Sequence, residues 1–458
     1  MTQQHRAGSS RQGLGVVDGV LLGLGSVIGA GLFVASGVAV RQAGPAVLIA
    51  YVIGGVALVG VLSGLAEMAA ANPAPGGLRT YAREAFGPWL GFTVGWMYWT
   101  SGVLTMSSEV TAAALMAHTW FPHSPLWVLS LVFSAGVGGI NSLGVRRFGK
   151  VEDALAVVKV LALVAFVAIG GYFLLRGVGT GLDTIRSEGV GLGRLFPTGW
   201  RGLGASMLMV MFSYAGVQVV AMAASDTQDP ARTFPRIIKA LTLSVLVLYL
   251  SAFVVLLLVM PWNQVNTGSS PFVQALQRLG LRRVDQIFTF VILTAALSSL
   301  NSALYGVSRM LYGLARDGEA PGVFVRLTRS GIPGWALAGS SLVLVAAILV
   351  AYWLPRQAYL LITSASGFVS MFNWLVVALG HLRYRQILLR RNPGGLVYRA
   401  WGYPYLSLVT AGITAGVLLT TPLAPGQVVG LGVGVVMFCL VSLAYLLVIR
   451  PRRLARKK

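Results

Sequence analysis

The sequence predicts an all-α polytopic membrane protein with twelve transmembrane helices, and three observations lead to that prediction. Hydrophobic residues make up 56% of the 458-residue chain, whereas charged residues make up only 10%, far below the charged share of a soluble domain. The mean hydropathy is +0.77. Nearly uncharged stretches, each about 18 residues or longer, recur between short basic or glycine- and proline-containing turns, as a chain that crosses a bilayer repeatedly requires.

The predicted spans follow one another from residue 16 to residue 448. In chain order they are 16–41, 45–71, 88–117, 124–143, 153–175, 201–225, 234–260, 284–313, 334–353, 357–381, 402–422 and 427–448. They give a tail (1–15), a first block of five spans (16–175), a second block of five (201–381), a basic linker (382–401), two final spans (402–448) and a basic tail (449–458).

The basic residues indicate how the chain is oriented. With both termini in the cytoplasm, most of the 35 lysines and arginines lie on the cytoplasmic side, as the positive-inside rule expects. The formal charge of +22 is therefore explained by topology and by contact with anionic lipid. Because these charges are scattered over many short loops, we expect no nucleic-acid partner. One cysteine and four histidines without ligand spacing predict no disulfide, no metal site and no cofactor.

A glycine-rich stretch interrupts the first predicted span. Residues 22–33 read LGLGSVIGAGLF, with four glycines inside an apolar run. A membrane helix that breaks here leaves backbone N–H and C=O groups at mid-depth, where lipid cannot satisfy them, so they face protein, water or a bound solute. Such a broken helix predicts a transport site.

A second interruption lies five spans later. Gly216 breaks the apolar run 203–225, beside Tyr214 and Gln218. Gly29 and Gly216 each lie in the first span of a five-span block, which is the order expected for an inverted-topology repeat. The alternative is that these glycines only allow helices to pack closely. Two interruptions at matching places favour a function.

Four ordered motifs resemble the amino acid-polyamine-organocation superfamily, most closely its bacterial amino-acid transporter branch. They lie at residues 23–33, 73–99, 212–236 and 296–321. The resemblance implies a proton-coupled or exchanging amino-acid permease of the bacterial inner membrane. It also implies a five-plus-five inverted repeat with broken helices 1 and 6, followed by two further helices.

An amino acid offers a carboxylate and an ammonium close together, and a broken helix offers complements to both. Amides after the break suit the carboxylate, and carbonyls before it suit the ammonium. In the first break we expect substrate contacts from Ser26, Val27, Gly29, Ala30 and Gly31, with the carboxylate near the last two. In the second break we expect the carbonyls of Phe212, Ser213 and Gly216 to receive the ammonium. Candidates for the substrate side-chain pocket are Ser26, Trp99, Gly102, Tyr214, Gln218 and Asn373, although the aromatic residues suit packing equally well.

Lys159 is a charged residue inside the fifth span, with no carboxylate at i±3 or i±4. A buried lysine without a local partner can exchange a proton near neutral pH. The resemblance implies that Lys159 is the coupling group, in contact with first-helix carbonyls near Gly25 or Ser26 and with a hydroxyl such as Ser299 or Ser302. The alternative is a lysine that extends to the cytoplasmic headgroups.

Glu109 is the other deep charge, in the third span. Three roles stay open for it: to bind a cationic substrate group, to take a proton, or to brace the bundle through Ser107, Ser108 and Thr111. Gln218 stands where many members of the resembled branch carry a glutamate. A neutral amide offers no counter-charge, so the sequence favours neutral substrates.

The leading interpretation is a proton symporter of neutral amino acids, as a monomer or a homodimer. An amino acid or amine exchanger on the same fold is the alternative, and a cationic amino acid importer or a transporter-like sensor is less favoured. HExxH, GxSxG and GxxxxGK[ST] signatures do not occur in the sequence, so neither a membrane enzyme nor an ATP-driven pump is indicated.

Overall fold

The computed structural model describes residues 15–72, 77–142, 145–178, 192–222, 227, 229–328, 331–353, 358–424 and 426–455. Within these residues the protein is all-helical and contains no β-strand. Residues 1–14 and 456–458, which belong to the two predicted cytoplasmic tails, lie outside the described residues.

The helices are α1 (Val16–Val27), α2 (Ser36–Ala43), α3 (Val47–Ala71), α4 (Leu78–Phe86), α5 (Pro88–His118), α6 (Leu126–Ser142), α7 (Val145–Leu175), α8 (Leu192–Leu195), α9 (Gly199–Ser213), α10 (Val219–Met222), α11 (Pro230–Val259), α12 (Pro271–Arg278), α13 (Arg282–Arg316), α14 (Gly334–Trp353), α15 (Ala358–Arg391), α16 (Tyr405–Thr420), α17 (Val428–Ala444) and α18 (Arg450–Ala455). Helix α15 continues ten residues past the predicted end of the tenth span, so the predicted linker begins as helix. Part of the basic C-terminal tail is also helical.

Both glycine-rich segments interrupt their helices. Helix α1 ends at Val27, and Ile28 leaves the helical region with a ψ of 91°. The chain resumes as a π-helical turn, Gly31–Ala35, before α2. Helix α9 ends at Ser213, and Gly216 adopts a φ of +93° before α10 begins. Glycine reaches that left-handed conformation without the steric penalty that a Cβ brings.

Seven helical segments of the described chain are long and apolar enough to cross a bilayer. Three shorter apolar helices, α1, α6 and the first part of α14, accompany them. The chain is therefore a helical membrane protein. The count of twelve spans and the inverted repeat remain predictions.

Helix α1 lies at the centre of the helical bundle, packed against α7, α11 and α13. Its small residues allow a close approach, because a Cβ at Gly19 or Gly23 would collide with Ile237 or Leu241 of α11. Helix α9 packs on α2 and on the π-helical turn. Helix α5 runs along both α13 and α15. This arrangement surrounds the interrupted part of the first span with other helices.

Candidate functional site

The two interruptions meet in the interior of the protein. A Cβ at Gly216 would collide with the backbone carbonyl of Ser26. Ser213 Oγ donates a hydrogen bond to the carbonyl of Gly31, at 2.8 Å. The first break (residues 25–31) and the second break (residues 212–218), both predicted from glycines far apart in sequence, therefore lie in direct contact.

Five carbonyl groups of the first break accept hydrogen bonds from side chains of five different helices. Backbone groups released by a helix break need such partners inside a membrane. The pairs are Lys159 Nζ to Gly25 O, Ser299 Oγ to Ser26 O at 2.9 Å, Tyr249 OH to Val27 O at 3.2 Å, Tyr359 OH to Ala30 O at 3.3 Å and Ser213 Oγ to Gly31 O at 2.8 Å. The break is thus held open by side chains that come from α7, α13, α11, α15 and α9.

Lys159 is fully buried, and its ammonium donates into the first break at Gly25. The side chain therefore does not extend to the lipid headgroups. Its ammonium interacts electrostatically with two carboxylates, those of Glu152 and Glu109. The sequence search for partners at i±3 and i±4 missed both, because Glu152 lies two helical turns earlier on α7 and Glu109 lies on α5.

Glu109 is also buried, and it contacts the same break at a residue further along the chain. Its Oε2 accepts a hydrogen bond of 2.8 Å from the backbone N–H of Ala30. A Cβ at Gly29 would meet both the Glu109 carboxylate and the Ser299 hydroxyl. The amide expected to bind the substrate carboxylate therefore donates to a carboxylate of the protein in this structure.

The hydroxyls that were expected to brace Glu109 have other partners. Ser107 Oγ donates to the Val103 carbonyl, Thr111 Oγ1 donates to the Ser107 carbonyl, and Ser108 Oγ pairs with Thr363. The bracing role through these three residues is therefore not what the structure shows. Glu109 instead ties α5 to the first break.

Tyrosine hydroxyls form hydrogen bonds at the second break. Tyr249 OH donates to the Ser213 carbonyl at 3.0 Å as well as to the first break. Tyr51 OH pairs with Ser213 Oγ at 3.0 Å, and Tyr214 OH donates to the Tyr51 carbonyl at 2.9 Å. The rings of Tyr214 and Tyr249 are stacked, with centroids 5.3 Å apart. Sequence reasoning missed Tyr51 and Tyr249, which lie singly in apolar helices and belong to no local motif.

The other carbonyls predicted to receive the substrate ammonium accept backbone N–H groups in this structure. The Phe212 carbonyl accepts from Ala215 and the Gly216 carbonyl accepts from Val219, both at 2.9 Å. These are the short turns that carry the chain from α9 into α10. Each carbonyl oxygen retains a second lone pair for a ligand.

Two residues of the predicted side-chain pocket, Trp99 and Gly102, contact neighbouring helices in this structure. Trp99 Nε1 donates to Ser340 of α14, at 3.0 Å. A Cβ at Gly102 would collide with Val307 of α13. The described contacts of these two residues thus lie in the packing of α5 against α13 and α14 rather than at the breaks.

Three polar residues that were predicted to belong to the site, Gln218, Asn373 and Ser302, are buried. Gln218 lies at the second break and is almost fully buried. Asn373 is fully buried, and neither of its amide atoms has a hydrogen-bond partner among the described residues. Ser302 Oγ on α13 is likewise buried without a partner in the part of the chain that the structure describes. Buried polar atoms in this state are available to water or a ligand.

A second charged cluster lies outside the spans and was not predicted. Arg79 and Arg83 of α4 form ion pairs with Asp317 and Glu319, which follow α13, and Arg453 of α18 also pairs with Glu319. Burial raises the pKa of Glu319 more than the nearby arginines lower it. Desolvation is also the main reason that the pKa of Arg79 falls below its usual value. The cluster connects three segments that are far apart in sequence.

The sequence profile of the amino acid permease family matches residues 18–458. The gamma-aminobutyric acid permease of Bacillus subtilis is 34% identical over 401 residues, which cover 87% of this chain and 85% of that protein. The gamma-aminobutyric acid permease of Escherichia coli is 35% identical, over 93% of this chain and 91% of its own. The aromatic amino acid transport protein AroP of Escherichia coli is 32% identical, over 93% of each chain.

A solved structure shares the fold. The crystal structure of MhsT in complex with L-phenylalanine aligns with a TM-score of 0.61, over 89% of this chain and 98% of that one. The sequence identity is 16%, so the likeness concerns the fold alone.

Proposed function

The chain belongs to the amino acid permease family, and we propose that it imports neutral amino acids across the bacterial inner membrane by proton symport. Amino acid transport follows from the family. The coupling ion, the substrate charge and the five-plus-five inverted repeat are the parts that we add. Matching interruptions in the first span of each five-span block, in contact with each other, support the repeat.

The contact between Lys159 and Gly25 carries the proposal. A fully buried ammonium donates to a carbonyl that the helix break has released. The charged donor makes a stronger hydrogen bond than a neutral amine, so loss of its proton weakens the attachment of α1 to α7. The protonation state of one side chain thereby biases the packing of the broken helix, which is what proton coupling requires.

Glu109 gives the substrate a second link to protonation. Its carboxylate holds the Ala30 amide, to which we assign the substrate carboxylate together with Gly31 and Val27. The substrate therefore has to displace Glu109. A protonated acid is a weaker acceptor than a carboxylate, so proton uptake by Glu109 makes it easier for the substrate carboxylate to displace Glu109 from the Ala30 amide.

The neutral substrate charge is supported by Gln218, an uncharged residue at the second break. A lysine or arginine side chain of a substrate finds no counter-charge there. The names of the related permeases point in the same direction, because gamma-aminobutyric acid and the aromatic amino acids carry no net charge at neutral pH. These relatives differ in substrate shape, so the proposal specifies charge and not size.

Uptake by purified protein in proteoliposomes tests the proposal. Labelled alanine, phenylalanine, gamma-aminobutyrate and arginine are offered with and without an inside-alkaline pH gradient. We expect gradient-driven accumulation of at least one neutral substrate, and we expect Lys159→Gln to abolish it. Lys239→Gln is the matched control, because Lys239 is an exposed lysine on α11.

Two results contradict the proposal in different ways. Uptake that ignores the pH gradient and requires preloaded substrate indicates an exchanger. Accumulation of arginine alone refutes the neutral substrate class.

A further inference from the structure

A third buried acid, Glu152, lies beside the proton-coupling site and has no role in the mechanism described so far. It lies in the first part of α7, and only 1% of its surface is exposed. Lys159 lies seven residues later, so two helical turns place both side chains on one face of α7. A buried carboxylate at membrane depth requires a functional explanation or a complete set of partners.

Glu152 and Lys159 converge on the same residue of the first break. The Lys159 ammonium donates to the carbonyl of Gly25. A Cβ on Gly25 would collide with the carboxylate of Glu152. Glycine is therefore the residue that allows the acid and the lysine to flank α1 together. Gly19 and Gly23 on the same helix instead face the apolar side chains of α11.

Neutral donors hold the Glu152 carboxylate in place. Ser298 Oγ donates to Oε1 at 2.6 Å, and Asn301 Nδ2 donates to Oε2 at 3.1 Å. Asn141 of α6 in turn donates to Asn301 Oδ1, at 2.6 Å. These bonds fix the acid to α13 directly and to α6 through Asn301. The hydrogen bonds of the carboxylate are thus made to α13 and not to α1.

The charged groups near Glu152 come from three helices. Lys159 and Asp153 share α7 with it, Asp18 lies on α1, and Glu109 lies beyond Lys159 on α5. Asp153 is only partly buried, and Asp18 is exposed and accepts a hydrogen bond from the Gly15 N–H. The neighbours from α13 and α6 are the neutral Ser298, Asn301 and Asn141. Glu152 is thus the buried acid that shares a helix with Lys159, and it lies toward the predicted cytoplasmic end of α7.

Building on the proposed proton symport, we propose that Glu152 takes the proton from Lys159 and delivers it toward the cytoplasm. An N–H bond of the Lys159 ammonium breaks and an O–H bond forms on Glu152, leaving a neutral amine and a neutral acid. The acid then releases the proton to water and becomes a carboxylate again. Lys159 Nζ must first leave the Gly25 carbonyl, so proton release follows the movement of α1.

In this proposal the two acids near Lys159, Glu109 and Glu152, have different roles. Glu109 contacts the break at Ala30. Glu152 contacts it at Gly25. A proton that enters past Glu109 and leaves past Glu152 passes the broken helix on its way, which links its passage to the shape of the substrate site.

The test separates net proton movement from exchange. Glu152→Gln keeps the side-chain volume and an acceptor for Ser298 or Asn301 but removes the site for a proton. In proteoliposomes, we expect gradient-driven accumulation to fall on the order of tenfold or more, within the usual range for loss of a proton-transfer group. Counterflow exchange of the same substrate, which needs no net proton movement, should stay near the wild-type rate. Asp153→Asn is the control and should retain both activities.

A conservative variant guards against a purely structural effect. Glu152→Asp retains the carboxylate, so accumulation should return in part while exchange stays unchanged. If Glu152→Gln gives no folded protein by size-exclusion chromatography, Glu152→Asp decides the question. A parallel loss of accumulation and exchange in that variant overturns the proposal.

The remaining outcomes distinguish the two proposals. Equal accumulation by Glu152→Gln and wild type overturns the role of Glu152 and leaves the symport intact. A wild-type protein that shows exchange but no gradient-driven accumulation overturns the symport itself.

Discussion

The two breaks differ in the side chains that contact their backbone groups. The first break is held by four hydroxyl groups and, in addition, by a lysine and a glutamate, Lys159 and Glu109. The second break is held by the hydroxyls of Tyr51, Tyr249 and Ser213. In the proposed symport, lysine and glutamate change charge during the transport cycle, whereas a buried tyrosine hydroxyl stays neutral at physiological pH. The proposal therefore assigns the effect of protonation to the first break and treats the second break as a fixed frame.

The contacts between the breaks transmit changes from one to the other. Ser213 Oγ bonds to the Gly31 carbonyl, and Tyr249 OH bridges Val27 of the first break and Ser213 of the second. Each of these hydroxyl groups touches backbone that a moving α1 would displace. In the proposed symport, a proton lost at Lys159 would therefore alter the positions available to a substrate between the two breaks.

The largest effect is expected where the two breaks touch. Gly216→Ala places a Cβ against the Ser26 carbonyl in a backbone conformation with a φ of +93°. The strain of the backbone alone is about 1–3 kcal/mol, and the collision adds to it by forcing the breaks apart. We expect accumulation and exchange both to be lost in proteoliposomes.

Gly199→Ala is the control for that substitution. Gly199 has a φ of +64° and no atom near the added Cβ, so it measures backbone strain without a collision. Wild-type uptake by Gly216→Ala would refute the close contact of the breaks. Equal losses in both variants would attribute the effect to strain alone.

Tyr249→Phe tests whether the second break affects transport independently of the pH gradient. Removing the hydroxyl leaves the carbonyls of Val27 and Ser213 without their donor, at about 1–3 kcal/mol for an unsatisfied buried group. We expect accumulation and exchange to fall together by roughly tenfold, since 1.4 kcal/mol corresponds to that factor. Lys159→Gln should instead remove gradient dependence.

Tyr172→Phe is the control for Tyr249→Phe, because Tyr172 is about half exposed on α7. Transport is measured at saturating and at limiting substrate. A Tyr249→Phe protein that exchanges normally but no longer responds to the pH gradient would contradict the division between the two breaks.

The sequence located both breaks and Lys159 because each leaves a local sign. Glycines interrupt an apolar run, and a lysine in a membrane span stands out from its neighbours. Tyr51 and Tyr249 leave no such sign, since their partners lie far away along the chain. A window of apolar residues around a tyrosine does not show which carbonyl it meets.

Trp99 and Gly102 illustrate a second limit of prediction from sequence. Their residue types suit a pocket, but the face of α5 on which they lie packs against Val307 and Ser340. Which neighbour a helix face meets depends on how whole helices pack, and the sequence of α5 alone does not contain that information. The seven-residue step from Glu152 to Lys159 was visible in the sequence, but its meaning depends on Gly25, which lies on another helix.

The smallest effect is expected at the charged cluster outside the spans, which tests whether the first break is special among the charged sites. Burial raises the pKa of Glu319 above its ordinary value of 4.5. An acid with a raised pKa in the folded state contributes stability that is present below about pH 4.5 and is lost as the pH rises through the folded pKa. In thermal unfolding in detergent, the melting temperature of wild type relative to Glu319→Gln should therefore fall with rising pH, by on the order of 1–2 °C.

The ratio of gradient-driven accumulation to exchange should be the same in both proteins, because Glu319 pairs with arginines of α4 and α18 and not with the broken helix. A change in that ratio as large as that of Lys159→Gln would show that charge outside the spans also governs coupling, and the contrast between the two breaks would then not account for it.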